Sequence, residues 1–94
     1  MNLTCTPYGE GCTMVKLDGH VLAIFTPETT KAQIDKFIEL AEERILDLYL
    51  ICEDVKVKRA WNGAHPGQGK DWPCFKQYDQ IRDELCAGAG IVDS

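Results

Sequence analysis

The spacing of hydrophobic positions changes several times along the chain. Gly11 to Leu17, carrying Met14 and Val15, and His20 to Phe25 are β-prone runs separated by Asp18-Gly19. Asp-Gly between two such runs predicts a hairpin, because a type I′ turn needs positive φ at both central residues. In the second run Leu22, Ile24 and Thr26 alternate with Val21, Ala23 and Phe25, so this strand is expected to be covered on both faces. The spacing then lengthens. Ile34, Phe37, Ile38, Ala41, Ile45, Leu48 and Cys52 recur at steps of three and four, which predicts one amphipathic helix of about five turns packed on the hairpin. Thr30 with Gln33 forms a capping-box pair at its start, and Thr26 followed by Pro27 offers an earlier N-cap. Leu46 falls among the polar positions and is expected to be exposed or half-exposed.

Val55-Lys56-Val57-Lys58-Arg59-Ala60-Trp61 returns to alternation and predicts a third strand. Residues 62–73 hold three glycines and two prolines and read as a loop. Asp71 is placed to cap a last helix with the stripe Phe75, Tyr78, Ile81 and Leu85, and Ala87-Gly88-Ala89-Gly90 is expected to fray. The order β-β-α-β-α, without an internal repeat, predicts a small α+β fold formed as one domain over residues 1–94.

Composition narrows the class. A hydrophobic share of 45% and a charged share of 27% exclude a disordered tail, a collagen-like repeat and a low-complexity linker. The longest apolar run, Leu48 to Cys52, is far short of the ~20 residues that cross a bilayer, and Met1 to Cys5 lacks the pattern of a secretory signal. The cysteines (5, 12, 52, 74 and 86) are odd in number and contain no Cys-x-x-Cys, so they are expected to be reduced and mostly buried in a cytoplasmic protein. A zinc site from Cys5, Cys12, His20 and His65 is the alternative; no cofactor is otherwise expected. A chain this short has a small core, which a homodimer would enlarge.

Charge changes the picture most. The formal net charge of −5 argues against direct attraction to nucleic acid. It is unevenly placed: residues 28–54 hold eight acids and three bases, whereas residues 55–77 hold five bases and Asp71 alone. Asp35, Glu39, Glu42 and Glu43 lie about one helical turn apart and form a line of negative charge able to meet lysines or arginines that otherwise hold nucleic acid. A solvated helix face is the plainer explanation of the same run. In the basic block, Arg59, Trp61, His65, Lys70 and Trp72 make a second candidate, since aromatics among cations suit stacking on a nucleotide. Two core tryptophans would look the same.

The loop from Ala64 to Asp71 approaches a phosphate-binding P-loop, but Asp71 stands where a magnesium-binding hydroxyl is needed and the chain has no room for the parallel sheet. A looser anion site of glycine amides with Lys70 and His65 remains open. Cys74 with His65 would be a thiol–imidazole pair without an orienting third group. An enzyme is therefore the least expected class.

The opening Thr4-Cys5-Thr6-Pro7-Tyr8-Gly9-Glu10-Gly11-Cys12, with Lys16 to Phe25 and the Thr-Pro-Glu helix start, resembles small phage-encoded accessory proteins. Many of these place a hairpin before a helix and inhibit bacterial defence, the anti-CRISPR proteins among them. The resemblance covers about the first third of the chain. It implies a non-enzymatic inhibitor in the host cytoplasm that binds a larger bacterial complex with a basic surface. Lys58-Arg59-Ala60-Trp61-Asn62-Gly63 is also similar to a Trp-Asn-Gly element of anti-Thoeris sponge proteins, which carry it nearer the amino terminus. That similarity implies a small phosphorylated ligand held by residues 58–72. Neither resemblance carries an active site over.

Overall fold

The Asp18–Gly19 turn forms as its sequence requires, with φ of 47° and 85°. The computed structural model describes residues 2–91. Around the turn, β2 (Cys12–Leu17) and β3 (His20–Phe25) pair antiparallel, with Val15 opposite Ala23 and Leu17 opposite His20. A bulge at Val15/Lys16 lets Leu22 and Ala23 both turn inward.

A further strand precedes them. β1 (Leu3–Tyr8) pairs antiparallel with β2 through a three-residue turn in which Gly9 and Gly11 have φ of 66° and 75°. Its polar sequence and Pro7 hide it from a pattern search, and both suit an edge strand, which is solvated and has ladder positions that need no N–H. The sheet order is β1-β2-β3. One face is open, for Val21 and Ile24 are exposed; the expected double coverage of β3 is incorrect.

Three helices follow. α1 (Lys31–Glu43) starts at the Thr30 capping box: the Gln33 N–H donates to Thr30 Oγ1 at 3.2 Å and the Thr30 N–H to Gln33 Oε1 at 2.9 Å. The earlier N-cap at Thr26 is not used. The single long helix of the sequence reading is broken at Arg44, which closes α1 and opens α2 (Ile45–Ala64). Ala41 and Leu48 are seven residues apart, so the apolar spacing passes through the break without a phase change.

The expected third strand at residues 55–61 does not exist; α2 runs through it. Val55 is fully buried while Val57 is 59% exposed, as helical neighbours two apart must be. Leu48, Cys52 and Val55 continue the three-and-four spacing inward, and that burial outweighs seven residues of alternation.

α3 (Pro73–Gly88) packs against both earlier helices. Its N-cap is Trp72, with Pro73 in the first turn, and Asp71 makes no cap. Its end does not fray. The Ile91 N–H donates to the Cys86 carbonyl at 2.9 Å and the Gly90 N–H to that of Ala87 at 3.1 Å, with Gly90 at φ 73°, a Schellman closure. Gln33 Nε2 also donates to the Gly90 carbonyl at 2.8 Å, tying this end to α1.

The resulting α+β fold has one layer of sheet and one of helices around a shared core. Val15, Leu17, Leu22 and Phe25 face Phe37, Leu48, Val55, Tyr78 and Leu85, and the rings of Phe25 and Phe37 meet edge to face at 5.1 Å. At its margin Tyr78 Oη donates to the Val21 carbonyl at 3.0 Å and lies 3.1 Å from His20 Nε2. The single hydroxyl proton is used on Val21, so His20 donates from Nε2. Burial, then the charges of Arg59, Lys56 and Arg82, hold the His20 pKa below its ordinary 6.5. No helix among the described residues is long and apolar enough to cross a membrane.

Candidate functional site

The two charged regions singled out in the sequence occupy different places and differ in how their charges are satisfied. On α1, Ile34, Phe37 and Ala41 turn inward, which leaves Asp35, Glu39, Glu42 and Glu43 exposed on the side away from the core. Of these four, only Glu39 has an ion-pair partner among the described residues, Lys36 at 3.5 Å on the same helix. Glu42 and Glu43 close a helix whose last turn contains no base. Negative charge there opposes the dipole of α1 but stands just ahead of the N-terminal end of α2, so the two helix ends act on it with opposite sign. The nearest basic side chain in sequence, Arg44, turns instead to Glu84 on α3 at 2.6 Å.

The second region is a closed clasp at the α2–α3 connection. Trp61, His65, Lys70 and Trp72 come together as the sequence reading requires. The His65 ring stacks on Trp61 at 4.0 Å, and Trp61 meets Trp72 edge to face at 5.7 Å. Lys70 Nζ lies 5.4 Å from the Trp61 centroid and 5.2 Å from that of Trp72. Arg59 is not part of the group: one step round the helix, its charge acts on His20 and Tyr78 instead. Lys58 takes the corresponding place, 4.8 Å from the Trp72 centroid and 3.6 Å from Asp54 Oδ1.

Asn62 organises the clasp, and its role is absent from the sequence reading. Its Oδ1 accepts from the Lys70 N–H at 3.1 Å and from Trp72 Nε1 at 3.0 Å, while its Nδ2 donates to the Lys70 carbonyl at 3.0 Å. An asparagine in a last helical turn before a glycine-rich loop is the available signal, since its amide can satisfy loop backbone in both directions. His65 Nδ1 is 2.8 Å from the Trp61 carbonyl and so donates to it. The glycine loop is thus held by side chains; Trp61 and Trp72 are half-buried.

The remaining candidates separate. Burial pushes the Cys52 thiol up to about 11, and burial with the neighbouring Asp54 carboxylate raises that of Cys74. Both therefore stay protonated near neutral pH, and His65 is engaged with Trp61 rather than with Cys74. Cys5, Cys12, His20 and His65 do not converge, and no group of three or more His, Cys, Asp or Glu side chains among the described residues is placed to hold a metal ion. No disulfide joins the five cysteines among the described residues; Cys52, Cys74 and Cys86 are buried and Cys5 is exposed.

No family model matches the chain, and no curated protein or solved structure shows significant similarity to it.

Proposed function

We propose that this is a binding protein without catalytic chemistry, which engages a basic surface on a larger partner through Asp35, Glu39, Glu42 and Glu43. The observation that carries the reading is the line of four exposed carboxylates on one side of α1, with like charges four residues apart at Asp35/Glu39 and Glu39/Glu43 and a single base, Lys36 of the same helix, paired with any of them among the described residues. Local rules broken without a structural return are where function is expected. Spaced carboxylates on one helix face can occupy lysines and arginines that would otherwise hold phosphates, which makes competition with nucleic acid the natural mechanism. An inhibitor of a nucleic-acid-handling defence complex, of the anti-CRISPR kind, acts in this way. Charge would steer association, and salt would weaken it.

A second reading rests on a different observation. Lys58 and Lys70 both lie about 5 Å from the ring of Trp72, so two ammonium groups share one indole. A small phosphorylated molecule would pair with these ammonium groups and stack on the neighbouring rings. Native mass spectrometry of the protein as isolated, and after capture from a bacterial lysate, separates the two. A stoichiometric complex that forms with Trp61→Ala/Lys70→Ala but not after neutralising the four carboxylates supports the first. An adduct of small-molecule mass that the same double variant loses would replace it with the second.

A further inference from the structure

Between β3, the entry to α1 and the last turns of α3 lies a cavity of about 360 Å³ that neither reading uses. Small-molecule sites span roughly 300–1,000 Å³, so this one suits a compact ligand. Ala23, Phe25 and Ile91 give it apolar wall. Gln33 and Gly90, joined at 2.8 Å, also line it, so the bonds that start α1 and end α3 hold its shape.

Arg82 is the unusual member of the lining. It is half-buried, and its Nε is buried without a hydrogen-bond partner. No carboxylate among the described residues forms an ion pair with it, although Glu28 lines the same cavity from an exposed position. Its Cζ lies 5.5 Å from the Tyr78 ring centroid, a contact that uses the charge but accepts none of the five N–H donors in the usual way. A buried donor without an acceptor is a cost that a ligand oxygen would recover. The half-buried Thr29 hydroxyl, in the same lining, makes no hydrogen bond among the described residues and is a second donor. A carboxylate matches the guanidinium fork with two oxygens, and the apolar wall suits a short hydrocarbon body. Glu28 offsets the single cation, so the cavity has no surplus positive charge for a phosphate dianion. We propose that Arg82 binds the carboxylate of a small monocarboxylic acid in this cavity, with the acid's hydrocarbon body against Phe25 and Ile91. The proposal rests on neither the α1 carboxylates nor the clasp.

Nuclear magnetic resonance titration of the isotope-labelled chain with isovalerate tests it. The Arg82 Nε–H resonance and the Thr29 and Gly90 amides should shift together and saturate, while inorganic phosphate at the same concentrations leaves them in place. Arg82→Met keeps the aliphatic stem over Tyr78 and should weaken isovalerate binding at least about tenfold, read from the two amides with the rest of the spectrum unchanged. Glu28→Gln, at an exposed position that leaves the fold intact, should tighten it by about two- to threefold. An Arg82 Nε–H that does not shift with isovalerate, equal binding by Arg82→Met, or phosphate bound as tightly as isovalerate would overturn the proposal.

Discussion

The exposed side of α1 and the clasp at the end of α2 are both dense in charge, yet the fold treats them in opposite ways. In the clasp, each ammonium lies near an indole ring, Lys58 also meets Asp54, and Asn62 fixes the backbone that carries Lys70. On α1, three of the four carboxylates have no ion-pair partner among the described residues, and like charges stand four residues apart at Asp35/Glu39 and Glu39/Glu43. Charge that the fold consumes is structural until shown otherwise. Charge that the fold merely tolerates is the better candidate for a partner.

Substitutions should therefore move stability in opposite directions in the two regions. The largest effect is expected at Trp72→Ala, which removes a half-buried indole, its bond to Asn62 and a ring shared by both lysines. Chemical denaturation should show a loss of about 2–4 kcal/mol. Asn62→Ala leaves the Lys70 amide and Trp72 Nε1 without an acceptor and should cost about 1–3 kcal/mol in the same assay. Glu42→Gln with Glu43→Gln should do the reverse and stabilise by about 0.3 kcal/mol, since it relieves the like-charge pair Glu39/Glu43 on one face of α1. If that pair proves destabilising, the carboxylates serve the fold and the contrast fails.

The smallest effect concerns pH and belongs to neither region. The folded-state pKa of His20 lies below the ordinary 6.5, so the folded state resists its protonation. Its contribution to stability is complete above about pH 6.5, declines as the pH falls below that value, and levels off once the pH is below the folded pKa. His20→Gln should flatten this slope in denaturation curves recorded between about pH 7 and pH 5.

Much of this was open to a reading of the sequence, and the parts that were not have physical causes. Asp18-Gly19 and Thr30 with Gln33 act through local backbone geometry, so their sequence signals translate directly into turn and cap. β1 was missed because an edge strand owes its place to pairing with β2, not to an apolar face of its own. Residues 55–61 misled because Val57 is apolar yet exposed: alternation over seven residues cannot separate a strand from a helix that carries an outward hydrophobe. Trp61, His65, Lys70 and Trp72 could be grouped because they bracket one loop. Arg59 and Lys58 could not be sorted, since one residue of helix rotation, about 100°, decides which of them meets the clasp.

The central claim is tested most directly by comparing capture of a nucleic-acid-binding complex from a bacterial lysate by the native chain and by a variant carrying Asp35→Asn, Glu39→Gln, Glu42→Gln and Glu43→Gln. The account predicts that the native chain retains the complex, that rising salt releases it, and that the variant, folded and slightly more stable, binds it at least about tenfold more weakly. Equal capture by both proteins, indifferent to salt, would contradict it.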